Sequence, residues 1–325
     1  MSAGMRYLIS GTSLGNAKSL AGSLGRTLLS LNSASSTPHA WHIISRRADQ
    51  ADALTRQLDA TRAPDLQSTF NSLIHSSLTL DHVADIAMDM QSTKATGLVL
   101  LPDAIDVAQW DETETLLAAA KAANLEHVML ISTYASHPAA IIPSGKAWAA
   151  LEEKAAEMDL PLSVVRPTTL MQSMLFGNMK EMISGRNLSV SMDHARVAYV
   201  HAQDVAEVVN HMMAAPTKDA TPVDLTGPAA LSWDEIASTL SKYVEAPKVH
   251  LTKVPLWVVQ PSMWIRGKNP DEINEVINSS KYFEAGGEAT VCSSVADILG
   301  RPPLTFDAFV AAHKDEWLYE PPKKF

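Results

Sequence analysis

Through the first half of this chain, short apolar runs alternate with longer stretches whose apolar residues recur at helical spacing. The strand-like runs are RYLIS (6–10), WHIIS (41–45), GLVLL (97–101), HVMLIS (127–132) and LSVVRP (162–167). Between them lie patterns such as AKSLAGSLGRTLLSL and DETETLLAAAKAANL, each apolar on one helical face. No other feature restricts the fold as strongly. Strands separated by helices of that length pair in parallel through right-handed crossovers, and helices then cover both faces of the sheet. The expectation is an α/β fold, a doubly wound parallel sheet. Segment 63–95 must hold a third strand, read here at SSLTL (76–80).

Past residue 167 the alternation loosens. RVAYVH (196–201) and PVDLTGP (222–228) read as strands and DVAEVVNHMMAA as a helix. LSWDEIASTLSKYV (231–244) is amphipathic, with Ser232 as N-cap and Glu235 three residues on, the capping-box spacing. Residues 250–325 read as a small helical lobe. The expected division is a sheet domain over 1–167, completed by 196–228, and a smaller, mostly helical substrate-binding lobe over 168–195 and 229–325.

Composition narrows the partners. With 46% hydrophobic and 19% charged residues, the 325-residue chain has ample material for a core. A formal charge of −10 argues against a nucleic acid held through its phosphates. The single cysteine, Cys292, excludes an internal disulfide and a cysteine-based metal cluster, which fits a reducing, cytoplasmic setting. No stretch reaches the ~20 apolar residues of a membrane helix, and the first residues, MSAGMRYLIS, lack a signal peptide's apolar core. The expected partner is a small molecule; the oligomeric state is not encoded in any feature of the sequence.

In doubly wound sheets the ligand crevice lies outside the carboxyl ends of the strands. After the first strand come Ser10, Gly11, Thr12, Ser13, Leu14, Gly15, Asn16 and Ala17. GxGxxG does not match, but TGxxxGxG does with Ser10 for Thr and Ala17 for the last glycine. Gly11 allows the tight turn and Gly15 the close approach of a pyrophosphate. Thr12, Ser13 and Asn16 add side-chain donors, and Leu14 completes the loop. The second strand ends at Ser45, Arg46 and Arg47, where such folds read the adenosine ribose. Arginine there suits a 2′-phosphate, so the expected cofactor is NADP(H).

Three later runs carry a family likeness: RVAYVHAQDVAEVVNHMM (196–213), VDLTGPAALSWDEIASTLSKYV (223–244) and ILGRPPLTFDAFVAAHKDEW (298–317). With GLVLLPD, HVMLISTY and SVVRPTTLMQSM in the same order, the chain resembles the NmrA-like proteins, atypical short-chain dehydrogenases with a Rossmann domain. The resemblance covers nearly the whole chain, although the first turn departs from the family's TGATGxxG. It implies that Leu101, Pro102 and Asp103 pass the ribose and nicotinamide, and that Pro167, Thr168, Thr169 and Leu170 lie against the nicotinamide. Asp204 matches the family's aspartate at a helix start, expected as an N-terminal cap.

Short-chain dehydrogenases usually supply Tyr-x-x-x-Lys, but here Tyr134 is followed four residues later by Pro138. Tyr134, at the end of the fifth strand, is one catalytic candidate. The other is Lys146, where isoflavone-reductase relatives carry a lysine that binds the ribose and assists proton transfer. Ser144 is read as the N-cap of its helix. Met171, Met174 and Phe176 form the apolar wall that the family topology sets over the nicotinamide, with Trp257 and Trp264 lining or filling the same pocket. His137, His194 and His201 lack metal-ligand spacing, so no metal is expected. The function implied is NADPH-dependent reduction of a small apolar molecule: a quinone, enone, imine or secondary-metabolite intermediate. Two rivals remain: a redox-sensing regulator that binds NADP(H) without turnover, and a cofactor-assisted cyclase or isomerase.

Overall fold

The computed structural model describes residues 6–10, 20–33, 40–45, 70–74, 80–102, 107–215 and 221–320. It divides into two compact units, Met1–Ser132 with Trp148–Arg166 and Val205–Val223, and Thr133–Ala147 with Pro167–Asp204 and Asp224–Phe325.

The first unit carries the sheet. Its strands are β1 (Arg6–Ser10), β2 (Ala40–Ser45), β3 (Phe70–Ile74), β4 (Gly97–Leu100), β5 (His127–Ile131) and β6 (Leu162–Pro167), with β9 (Val223–Leu225) as the last member. The order is β3-β2-β1-β4-β5-β6-β9, and the five pairings from β3 to β6 are parallel. This is the expected doubly wound, Rossmann-like α/β sheet. The chain order reverses beside β1, which pairs with both β2 and β4 in register (Leu8 faces His42 on one side and Leu98 on the other).

The strands are predominantly apolar because the sheet is buried, the polar exceptions including buried Ser10, His42, His127 and Ser163. Leu8, Leu98, Leu100, Val128, Leu130 and Val164 pack with Ile86 and Met90 of α2 (Val83–Ser92), Leu116 and Leu117 of α3 (Val107–Ala122), and Trp148 and Leu151 of α4 (Pro143–Glu157). Below them, buried Glu152 accepts from Ser132 Oγ and from Arg166, whose Nε lies 3.1 Å from both carboxylate oxygens.

The second unit has a core of its own. Met171, Met174, Leu188, Val197, Trp233, Leu240, Phe306, Phe309 and Trp317 form one apolar cluster. Trp317 is 1% exposed and its Nε1–H donates to the Met174 carbonyl at 2.8 Å. Its further elements include α5 (Gly177–Ser184), β7 (Asn187–Val190), β8 (Arg196–Val197), β10 (Leu231–Ser232), α7 (Trp233–Tyr243), β11 (His250–Lys253), α8 (Leu256–Ile265) and α9 (Pro270–Glu284), while most of α6 (Ala202–Ala214) belongs to the first unit. The capping box at α7 is present: Ser232 Oγ accepts from the Glu235 amide, and the Glu235 carboxylate accepts from the Ser232 amide at 2.7 Å.

Two strand expectations are corrected. The third strand is FNSLI (70–74), whose residues Phe70–Ile74 pair with Trp41–Ser45 over five positions; of SSLTL, residues 76–79 lie outside the described residues and Leu80 opens a helical turn. RVAYVH shortens to Arg196–Val197, paired antiparallel with β10. Beyond Val197 the backbone groups are taken one by one by three other segments: Ala198 N–H by Glu288, Ala198 C=O by the Gly227 amide, and Val200 by Thr169. A Cβ at Gly227 would sit 1.9 Å from the Tyr199 carbonyl oxygen, so only glycine allows that convergence.

Candidate functional site

The turn after β6 is the best-fixed feature of the second unit. Thr168 is 2% exposed; its amide donates to the Leu225 carbonyl at 2.9 Å and its hydroxyl to the Ala198 carbonyl at 2.6 Å. The Thr169 amide donates to Glu288 Oε2 at 2.7 Å, and its carbonyl accepts from the Val200 amide at 3.1 Å. Leu170 bridges Val200, and the Tyr134 amide donates to the Pro167 carbonyl at 2.9 Å. Every one of these bonds joins segments far apart in sequence, which makes the turn a pre-formed wall.

Glu288 reaches this turn through two glycines. Gly286 has φ +82°, and a Cβ at Gly287 would lie 2.3 Å from the Tyr282 ring, whose hydroxyl donates to the Gly287 carbonyl at 2.8 Å. The glutamate is 3% exposed. Burial pushes its carboxyl up to about 7, against which the Thr169 amide and hydroxyl pull downward. Burial also raises Tyr134, with the Asp224 charge adding to it and a hydrogen bond with Thr290 opposing it. Tyr199 and Tyr282 are raised by burial first and by the Glu288 charge second. All three phenols therefore stay protonated at neutral pH, and that of Tyr282 donates to the Gly287 carbonyl.

Lys146 is exposed, the fourth residue of α4. Ser144 is not the N-cap of that helix. The helix starts at Pro143, which already has the backbone angle a first helical residue needs, and Ser144 lies inside it. Glu275 of α9 supplies the capping carboxylate, accepting from the Ser144 amide at 3.2 Å and from its hydroxyl. Asp204 is the acidic residue in the first turn of α6, and it is a tertiary clamp as well. Fully buried, it pairs with Arg301 at 2.8 Å and accepts from the Leu304 amide at 2.8 Å.

Among the other residues singled out in the sequence, Leu101 is buried, its amide donating to the Ser10 carbonyl at 3.2 Å, and Pro102 is half-buried. Ser45 closes β2. Gly11, Thr12, Ser13, Leu14, Gly15, Asn16, Arg46, Arg47 and Asp103 lie outside the described residues. Met171 and Met174 are each 1% exposed and belong to the apolar core, while Phe176 keeps part of its surface. Trp257 and Trp264 neither line nor fill a pocket: they are 78% and 64% exposed on α8, a helix with no buried residue. The unit does contain a cavity of about 640 Å³, walled by Val190, Val254, Pro255 and Leu256 and edged by Lys253 and Glu284. No predicted site residue lines it. Among the described residues no cluster of side chains is arranged to hold a metal, and no helix is long and apolar enough to cross a membrane.

Glu288, Tyr282 and Glu275 escaped the sequence reading. The one local signal for the first was the doubled glycine before an acidic residue, Gly286-Gly287-Glu288.

The β3-β2-β1-β4-β5-β6 order has its switch point between β1 and β4, the arrangement across which dinucleotides bind. That topology is compatible with a dinucleotide, while the loop residues read as its phosphate grip lie outside the described residues. Solved structures with the same fold include a nucleoside-diphosphate-sugar epimerase and NADPH-dependent reductases. No family model matches the chain.

Particular relatives sharpen that class. An NAD(P)H azoreductase of Xenophilus azovorans is 25% identical over 216 residues, 66% of this chain and 72% of that protein. Agroclavine dehydrogenase of Claviceps fusiformis is 26% identical over 123 residues, 38% of this chain and 42% of that one. An NADPH-dependent quinone oxidoreductase of Escherichia coli, solved with NADPH, superposes with a TM-score of 0.72 at 15% identity, covering 94% of this chain and 99% of that one. Triphenylmethane reductase of Citrobacter sp. gives 0.72 at 14% identity, covering 96% and 100%. At those identities the two structures establish the fold alone.

Proposed function

We propose that this protein is an NADPH-dependent reductase of a small, largely apolar organic molecule, of the NmrA-like kind. The observation that carries the reading is the doubly wound sheet with its switch point at β1 and β4, together with the rigid turn at Thr168–Thr169. The azoreductase and dehydrogenase relatives support the same chemistry.

In this reading Gly11–Asn16 hold the pyrophosphate and Ser45, Arg46 and Arg47 the 2′-phosphate. Leu101, Pro102 and Asp103 border the ribose, and Pro167–Leu170 wall the nicotinamide. NADPH supplies the hydride. The chain orients the acceptor, excludes water through its apolar wall, Phe176 included, and delivers one proton to the substrate heteroatom from Lys146 Nζ or Tyr134 Oη. Quinones, enones, imines and azo compounds share this requirement for a hydride and a proton.

Calorimetric titration of NADPH and NADH, repeated on Arg46→Ala, tests the cofactor assignment. The substitution is expected to erase most of the preference for NADPH, and an unchanged preference removes Arg46 from the site. Steady-state NADPH oxidation with quinone and imine panels tests turnover. Tight NADPH binding without turnover on any substrate favours the redox-sensing reading instead, which the missing Tyr-x-x-x-Lys pair supports. Turnover of substrate without its net reduction favours the cyclase or isomerase.

A further inference from the structure

Glu288 is a buried carboxylate, and among the described residues no cation stands beside it. None of the ion pairs among the described residues includes it. The titratable groups that face it are Tyr134 after β5, Tyr199 after β8 and Tyr282 of α9. Behind these phenols stand Asp224 of β9 and Cys292. All are neutral or acidic. Its side chain is held only by Thr169, through the amide at 2.7 Å and the hydroxyl. Leaving a charge uncompensated in such a place is costly, and the backbone is shaped to allow it: two glycines lead in, and the Ala198 amide clamps the Glu288 carbonyl at 2.8 Å.

The missing countercharge is supplied if the ligand on the other side of the turn becomes a cation. The Thr168–Thr169 turn follows β6, in the half of the sheet beyond the switch point, where the nicotinamide belongs on the reductase reading. A reduced nicotinamide is neutral and an oxidised one carries a single positive charge. We propose that Glu288, tied by its carboxylate to the Thr169 amide, is an electrostatic positioning residue that makes this site favour the oxidised, cationic nicotinamide over the reduced, neutral one. The inference rests on the reductase reading.

The charge balance of the reaction gives such a residue its use. A hydride, two electrons and one proton, passes to the acceptor carbon. A proton from Lys146 or Tyr134 completes the reduced product, and one positive charge appears on the ring that gave the hydride. A fixed anion behind the wall lowers the energy of that developing charge without reorganising during the step. It acts only when ionised. Since the carboxyl is pushed up to about 7, the bias is expected above neutrality and is lost below it.

The test is binding rather than turnover. The full-length protein is titrated calorimetrically with NADPH and with NADP+ at pH 6 and pH 8, as wild type and as Glu288→Gln. At pH 8 the glutamine variant is expected to bind NADPH within about twofold of wild type. It should bind NADP+ on the order of tenfold more weakly, the size of one charge acting at an effective dielectric near 20. Wild type at pH 6 should move towards the variant's ratio; the 2′-phosphate is common to both nucleotides and cancels. This second measurement needs no variant to fold. A merely structural role weakens both nucleotides together, so an unchanged ratio overturns the proposal. Failure of wild type to bind either nucleotide overturns the reductase reading and the inference with it, whereas tight binding with a pH-independent ratio overturns the inference alone.

Discussion

Glu288 also makes a prediction about folding, independent of any ligand. Its carboxyl is raised from 4.5 to about 7 by burial, so the folded protein holds this proton more tightly than the unfolded chain does. Stability then falls with rising pH wherever the folded state carries the extra proton. The contribution is fully present below about 4.5 and is lost as pH rises through about 7. A shift of that size corresponds to about 3 kcal/mol between pH 4.5 and pH 8. The group is almost wholly buried, so solvent screening takes little from it. Glu288→Gln removes the titration while keeping the shape and an acceptor for the Thr169 amide. Urea denaturation followed by tryptophan fluorescence at pH 5, 6, 7 and 8 measures the difference between the two proteins. The variant is expected to gain on wild type by about 2–3 kcal/mol from pH 5 to pH 8, most of it between 5 and 7. Comparing the two cancels the histidines and other groups that titrate in the same window. A difference that stays constant within about 0.5 kcal/mol across the series would refute the argument that this carboxylate is uncompensated.

Three further outcomes follow from particular contacts. Asp204→Ala strands the Arg301 guanidinium and the Leu304 amide and is expected to cost about 3–4 kcal/mol in denaturation. Asp204→Asn, which keeps an acceptor for Leu304, should cost less, and equal costs would show that the bond to the Leu304 amide contributes nothing. Gly287→Ala forces a methyl group into the Tyr282 ring and should cost about 1–3 kcal/mol, with the near-ultraviolet circular dichroism of the tyrosines altered; an unperturbed spectrum would contradict the close approach. Of Lys146→Met and Tyr134→Phe, the one that removes the proton donor should lower kcat by about 10²–10⁴-fold. Both within threefold of wild type would mean that the proton comes from solvent.

What could be read from the chain alone was local. RYLIS, WHIIS and LSVVRP announced buried parallel strands because a strand covered on both faces is mostly apolar rather than alternating. Ser232 and Glu235 announced a helix start because a capping box closes within four residues. The reductase-like order of elements followed from these together with the turn residues between them. The rest depended on partners far away in sequence. FNSLI and SSLTL are comparable strand formers, and only pairing with β2 selected the first. Ser144 was read as a cap in the absence of Glu275, 131 residues distant. Asp204 was read only as a cap in the absence of Arg301 and Leu304. Trp257 and Trp264 were read as pocket residues because apolarity was visible and exposure was not.

Glu288 shows the same limit most sharply. In the chain it is an acidic residue after two glycines, indistinguishable from a solvated turn. Its place against the Thr169 amide, 119 residues away, exists only once β8, β9 and the loop after α9 converge on the end of β6. Sequence by itself determined which segments must be buried strands and helices, since periodicity is a property of neighbours. Tertiary structure alone decided which buried polar groups meet, and therefore which charge stands without a counterion, because burial and electrostatic environment are set by contacts that no local pattern records.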